Sequence, residues 1–276
     1  MVELNEQLQS INAIAAPIQN NVKDIPTHLA PAFIISDINN RNSVVAVRRL
    51  IKSIDDTESD LQPTIFPATT PATLDRDLKR LKKSKADWTY PRHFGHKFIH
   101  KKTGMSLTGY RTDDINKVIA CAVSHMRIWQ IVSIGTTPTV VLEHDAEFTR
   151  KFSFSFFNTR NLNEIGILGL NDPRGATRKA AIYLQKILDA YKTVGQANVA
   201  SIPVPWVDNN EIAPQGLAGN SAYIITPKQA TLLLQRVNEV GIWPNDALMC
   251  KQLFPQLNQA YPFFTRVQGV ASTTTG

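Results

Sequence analysis

Three carboxylates stand at alternate positions where an apolar run ends. Thr139-Val-Val-Leu-Glu-His-Asp-Ala-Glu-Phe148 places Glu143, Asp145 and Glu147 directly after a short β-forming stretch. Residues two apart on an extended chain point to one side, so these oxygens are spaced to converge on one hard cation. Mg2+ and Mn2+ take one or two carboxylates and complete their shell with substrate phosphates, so a metal-bridged diphosphate suits the pattern. A solvated acidic strand end is the plainer alternative. His144 points the other way on the same alternation and suits packing or hydrogen bonding.

A second group is cationic. Between Lys79 and Lys102 lie nine basic residues, among them Lys82, Lys83, Arg92, Lys97, Lys101 and Lys102, against the single acidic Asp87. The segment nets +8, and the remainder of the chain nets −1 of the overall +7. Trp88, Tyr90, His93, Phe94, His96, Phe98 and His100 are interleaved with the charges. Cations among aromatics suit phosphate contact and base or ring stacking together, hence a polyanionic partner or acceptor. A solvated basic helix running into an exposed loop fits the same composition. The spacing of His93, His96 and His100 resembles a metal site, but the run offers no Cys or carboxylate to complete a zinc shell.

Elements that must position these groups follow from periodicity. The chain has 276 residues, 43% of them apolar and 19% charged, enough for a substantial core and unlike a disordered composition. Leu4, Leu8, Ile11, Ala15 and Ile18 predict an amphipathic helix over residues 2–16, which with its linker to residue 30 packs on the body or on a second copy as a homodimer contact. Strands are expected at 32–36, 64–66, 139–142, 165–170 and 222–225, with helices at 44–54, 74–83, 113–133 and 178–194. Thr226, Pro227 and Gln229 signpost another helix that ends before Gly241, and Asn245 or Asp246 caps a last one over 247–253. Alternating strands and helices predict one α/β domain over 31–276, a mostly parallel sheet with helices on both faces and a basic insertion at about 68–112. In such sheets ligands sit beyond the carboxyl ends of the strands, where the acidic run lies. Cys121 and Cys250 are too few for a disulfide framework and read as reduced core thiols. No apolar run approaches the roughly 18 residues of a membrane span, and the start lacks a signal-peptide pattern. A cytoplasmic protein is expected.

Several segments together resemble glycosyltransferase family 25, which includes lipo-oligosaccharide and collagen galactosyltransferases. Ile119-Ala-Cys-Ala-Val-Ser-His-Met-Arg-Ile-Trp129 is similar to the family's Gly-Cys-x-x-Ser-His-x-x-x-Trp helix, and Val141-Leu-Glu-His-Asp-Ala-Glu-Phe148 falls where the family has Leu-Glu-Asp-Asp-Ala. Gly219-Asn-Ser-Ala-Tyr-Ile-Ile-Thr-Pro-Lys-Gln-Ala230, Trp243-Pro-Asn-Asp246 and Gln268-Gly-Val-Ala-Ser272 match later segments in the same order. His144 departs from the pattern, and Ser36-Asp-Ile-Asn-Asn-Arg41 lacks the family's basic residues after its first strand.

The resemblance implies a GT-A-like fold, a nucleotide-sugar donor (commonly a UDP-hexose) and Mn2+ or Mg2+ at the acidic motif. It makes Asp145 the leading metal or diphosphate ligand with Glu143 or Glu147 in support, and sets Ser124 and His125 on a helix facing the donor. A buried, satisfied core histidine is the alternative for His125. Asp246 is implied as the general base near the acceptor hydroxyl, with helix capping as its alternative. Asp172, in Asn171-Asp-Pro-Arg-Gly175, is a second base candidate or a turn residue. The expected activity is sugar transfer to a hydroxyl of a saccharide or anionic glycolipid. The basic segment keeps open a nucleic-acid acceptor such as hydroxymethylated-base DNA, and beyond that a non-catalytic nucleic-acid-binding protein or a degenerate family scaffold.

Overall fold

The computed structural model describes residues 29–157, 162, 164, 166–194, 198–207 and 212–269. The expected helix at 2–16, its dimer role and the end of the Gln268–Ser272 segment lie outside them. The chain opens as a parallel β-α-β unit: β1 (Ala30–Ser36), α1 (Arg41–Asp56) and β2 (Leu61–Pro67). Asn40 caps α1 by accepting from the Asn42 and Ser43 N–H groups, and Ala46, Val47, Leu50 and Ile54 form its buried stripe. Next come α2 (Leu74–Arg80), a 3-10 turn at Lys85–Asp87 and a hairpin of β3 (Lys97–Ile99) and β4 (Ser106–Thr108). α3 (Ile115–Ser133), capped by Asp114, leads into β5 (Thr139–Glu143) and β6 (Ala146–Phe148). The remaining elements are β7 (Ile167–Gly169), α4 (Ala180–Thr193), β8 (Ala200–Pro203), β9 (Ala222–Ile225), α5 (Pro227–Val240), α6 (Asn245–Leu248), β10 (Leu257–Tyr261) and β11 (Thr265–Val267).

Seven strands form one sheet in the order β2-β1-β5-β9-β7-β10-β8. Five run in one direction; β9 and β8 run against them. Strand alternation divides the core between the faces. Val140, Leu142 and Ile224 join α1 on one side, while Val141, Tyr223 and Ile225 join α3, α4 and α5 on the other. The expected mostly parallel α/β sheet with helices on both faces is therefore present. Thr226 accepts from the Gln229 N–H, and Pro227 takes the first position of α5, as its sequence signals predict. The last short helix differs. It spans Asn245–Leu248 with Pro244 at its cap, so neither Asn245 nor Asp246 is the cap residue. No helix among the described residues is long and apolar enough to cross a membrane.

The basic insertion is ordered by three of its rings, which turn inward. Trp88, Tyr90 and His100 are buried, with Tyr90 edge-on to Trp88, Tyr110 and Trp243, and His100 edge-on to Trp243. These rings are core, not the stacking surface their interleaving suggested. The three histidines are also separated in role: His93 and His96 are exposed, while His100 bonds Thr103.

A buried carboxylate ties this region to the sheet. Asp77 on α2 accepts from Thr69 Oγ1 at 3.0 Å, Arg76 Nε at 3.0 Å and Arg127 of α3 at 3.3 Å, and Arg127 also donates to the Pro67 carbonyl and lies over the Phe66 ring. Burial alone would raise the Asp77 carboxyl. The bonds from Arg76 and Thr69 and the Arg127 charge outweigh it and hold the group below the usual carboxylate range. A depressed folded-state value stabilises the fold above the unfolded value, and that contribution is lost as pH falls through the folded one. Asp77→Asn is expected to cost roughly 2–3 kcal/mol near neutral pH in urea unfolding, because Arg127 is left without its charged partner. The difference from wild type should narrow as the pH drops below about 4. A constant difference across that range would show that the ionised pair is not the source.

Candidate active site

The site grows from the carboxyl end of β5. Four side chains from three elements form one buried hydrogen-bonded run: Trp129 Nε1 donates to the Tyr223 hydroxyl at 2.9 Å, that hydroxyl lies 2.8 Å from His125 Nδ1, and His125 Nε2 lies 3.0 Å from Glu143 Oε1. One proton arrangement satisfies every member. Tyr223 O–H donates to Nδ1, and Nε2–H donates to the Glu143 carboxylate. The helical spacing of His125 and Trp129 sets both on the face of α3 that meets β9, where Tyr223 projects from the sheet. Asn245 completes the ring: its Nδ2 lies 3.2 Å from His125 Nε2 and helps hold Glu143 ionised, and its Oδ1 accepts from Cys121 Sγ at 3.7 Å. Burial opposes ionisation of Glu143, but the hydrogen bond from His125, with help from Asn245, holds its carboxyl below the usual range.

Asp145 is different. Its Oδ1 is buried without a hydrogen-bond partner, and burial together with the Glu143 charge pushes its carboxyl up to about 7. Segments bonded to this one carry further unpartnered buried polar atoms: Asn220 Nδ2 and Oδ1, Ser221 Oγ and Gln268 Oε1. Backbone bonds join their segments, Glu143 N–H to the Ser221 carbonyl and Gln268 N–H to the Asp145 carbonyl, both 2.8 Å. Gln268 Nε2 also clasps the Ala146 and Ala46 carbonyls at 2.9 Å. Burial holds the flanking His144 below the usual imidazole range despite the Glu143 and Asp37 charges, so it presents a neutral ring. A carboxyl oxygen with unsatisfied acceptor capacity, beside the ionised Glu143 and a neutral imidazole, fits a divalent cation of the Mn2+ or Mg2+ type that would hold it ionised.

The donor atoms of Cys121, His125 and Glu143 also lie within 4.8 Å of one another. Both His125 nitrogens are already engaged there. Burial and the charges of Glu143, Asp246 and Asp145 hold the Cys121 thiol well above its usual range, so it is protonated. That cluster is better satisfied as a hydrogen-bonded core than as a ligand set.

Asp246 faces an open cleft of about 370 Å³ lined by Tyr90, Thr108, Tyr110, Tyr183 and Gly216 among others. Tyr110 O–H donates to its Oδ1 at 2.8 Å and the Ala247 N–H to the same oxygen at 3.0 Å. Among the described residues nothing donates to Oδ2. Asp246 is exposed at the cleft, yet desolvation by the protein packed around it raises its carboxyl, the Tyr110 bond opposes this, and the Glu143 charge adds to the rise. The direction favours a stronger base than an ordinary aspartate.

Other expected site residues take different places. The chain does not run straight through the acidic stretch; it turns at His144–Asp145, so the alternation breaks. Glu147, on β6, pairs with Arg266 Nε of β11 at 2.6 Å and is not a ligand beside Glu143. Asp172 is corrected to a turn residue: Arg174 donates to both its oxygens from its side chain and to Oδ1 from its backbone. Ser124 does not face a donor. It is buried, donates to the Ala120 carbonyl and accepts from the Thr69 N–H, which fastens the exit of β2 to α3. His125 is fully buried and acts on the site through Glu143. Lys82, Arg92, Lys97, Lys101 and Lys102 are exposed and Lys83 half-buried; Arg92 donates to the Lys85 carbonyl and Lys102 to the Glu239 carbonyl. Tyr110 and Tyr223 had no role assigned from sequence, and Asn245 only that of a helix cap. For Tyr223 and Asn245 the signal was their place in the quoted segments; for Tyr110 there was none.

Tyr223→Phe should leave the Trp129 N–H and His125 Nδ1 unpaired and cost about 1–3 kcal/mol in chemical denaturation. Asp145→Asn removes a like charge beside Glu143 and is expected to raise the melting temperature of metal-free protein above neutral pH, while abolishing any rise caused by Mn2+. An Asp145→Asn variant that still responds to Mn2+ would place the cation elsewhere.

Comparison with known proteins bears on the same segments. No curated protein matches the sequence. Among solved structures, mouse xyloside xylosyltransferase 1 in its apo form is similar at 10% identity over 84% of each chain, with a TM-score of 0.38. The apo glycosyltransferase GlyE of Streptococcus pneumoniae TIGR4 is similar at 10% identity, with a TM-score of 0.37, over 84% of this chain and 45% of that one. The model of glycosyltransferase family 25, described as an LPS biosynthesis protein, matches residues 57–249, which hold α3, the Glu143–Asp145 turn, Tyr223 and Asp246. The chain belongs to glycosyltransferase family 25.

Proposed function

We propose that this glycosyltransferase moves a sugar from a nucleotide-diphosphate donor, with a UDP-hexose the first choice, to a hydroxyl of a saccharide or glycolipid. One observation carries the reading. A buried carboxylate oxygen without a partner, Asp145 Oδ1, lies within electrostatic reach of the same Glu143 that acts on the cleft-facing base Asp246. Two carboxylates with opposite needs, one wanting a cation and one wanting a proton, thus flank a single anion.

Asp145, supported by Glu143, would hold the cation, with His144 beside them. A divalent ion bound there supplies positive charge for a departing diphosphate. The cleft would take the acceptor, its volume being within the range of ligand clefts. Asp246 Oδ2 would accept the proton of the attacking hydroxyl while Tyr110 and the Ala247 N–H steady Oδ1. The glycosidic bond then forms from that oxygen to the anomeric carbon as the bond from this carbon to the nucleotide phosphate breaks. His125 and Asn245 are positioning residues that keep Glu143 ionised and aimed.

The burial of Trp88, Tyr90 and His100 favours a glycan or glycolipid over a nucleic-acid acceptor, which would need those rings as stacking platforms. Two free thiols, Cys121 and Cys250, support a reducing, cytoplasmic location.

Mass spectrometry of oligosaccharide, glycolipid and hydroxymethylated-DNA acceptors, incubated with a panel of nucleotide sugars and Mn2+, tests the class of acceptor. Asp246→Asn is expected to lower kcat by about 10²–10⁴ with the donor KM close to wild type. Full turnover in Asp246→Asn would remove it from the chemistry.

A further inference from the structure

We propose that the outer face of the β3–β4 hairpin, with the loop that precedes it, docks on an anionic lipid surface. β3 alternates. Phe98 turns inward opposite Leu107, while Lys97 and Ile99 turn outward. Ile99 is 56% exposed, and Phe94, in the loop before the strand, is 69% exposed. The backbone that carries them is held. The Gly95 N–H bonds the Gly109 carbonyl, the Gly109 N–H bonds the His96 carbonyl, and a Cβ at Gly109 would lie 2.0 Å from the His93 oxygen. Inward packing of Phe98 and the edge contact of His100 with Trp243 anchor the hairpin from below. The fold therefore holds two apolar side chains out in water on a fixed platform.

Cations adjoin them along the chain. Lys97 shares the face of Ile99, Arg92 and Lys101 are exposed nearby in the chain, and Asp87, the segment's one acidic residue, is occupied in the Ser84 capping box. Exposed apolar side chains among basic ones fit the interface of a bilayer with anionic headgroups. A nucleic acid would answer the charge and the ring of Phe94 but offers no hydrocarbon to Ile99, and the remaining large rings of the segment are buried.

Position supplies the purpose. Ser106 and Thr108, the register partners of Ile99 and Lys97, line the cleft that holds Tyr110 and Asp246. A docked hairpin brings the mouth of that cleft to the headgroup layer, where an anionic glycolipid presents its hydroxyls. This purpose rests on the reading of the cleft as the acceptor site; the docking itself does not.

Co-sedimentation of the full chain with phosphatidylcholine vesicles, and with vesicles that also contain phosphatidylglycerol, tests it without donor or acceptor present. Binding is expected only to the anionic vesicles and should weaken with salt. The double variant F94S/I99S should bind them about tenfold less or weaker still. Lys97→Glu should lower binding by at least about fivefold. Both should melt at the wild-type temperature, since these side chains are exposed. No binding to anionic vesicles, binding unchanged in F94S/I99S, or Phe94-dependent capture of a DNA oligonucleotide in place of vesicles would overturn the proposal. Donor turnover measured on the same protein without vesicles reports separately on the proposed function.

Discussion

The buried run from Trp129 through Tyr223 and His125 to Glu143 is the constraint on which the site depends. Each member lies where an apolar residue would pack as well, so each polar atom must be answered or its burial is a loss. They answer one another, and the last of them answers Glu143. The helix face of α3, strand β9 and the end of β5 are thereby registered to a single carboxylate. Everything at the site is then set by where that negative charge stands. It raises Asp145, raises Asp246 and keeps the Cys121 thiol protonated, so three neighbours owe part of their protonation state to one anion.

Two poorly satisfied groups remain after that arrangement is made. Asp145 is buried beside a like charge with a free oxygen, and Asp246 keeps one oxygen open to the cleft. Several other carboxylates are answered by cations: Asp77 by Arg76 and Arg127, Asp172 by Arg174, Glu147 by Arg266. A buried carboxylate oxygen with neither cation nor hydrogen-bond donor, as at Asp145, marks a place that a ligand completes. The hairpin that borders the cleft shows the same economy with apolar surface, turning Trp88 and Tyr90 inward and leaving Phe94 and Ile99 out.

Much of the scaffold was legible because it is local. The β1-α1-β2 unit, α3 with its Asp114 cap and α5 with its Thr226 cap follow from periodicity and end signals within a few residues. The short strands β3, β4, β6 and β11 were not, because their partners or their burial come from distant segments. The segments that carry Asp246 and the Glu143–Asp145 pair were legible, since their motifs survive in order. Glu147 was misplaced for a definite reason: alternation predicts a common side only on an extended chain, and Gln268, 123 positions downstream of Asp145, clasps a turn there instead. Asp172 was misplaced because a cation two residues away can take both its oxygens, which composition does not reveal.

The central claim is that the turn after β5 is a cation site organised by Glu143 and completed by Asp145. Anomalous diffraction at the manganese edge from crystals grown with Mn2+ and a nucleoside diphosphate tests it most directly. The account predicts one strong peak in bonding contact with Asp145 Oδ1, with the diphosphate on its cleft side. A peak seated between Cys121 and His125, or no bound manganese while the diphosphate is present, would contradict it.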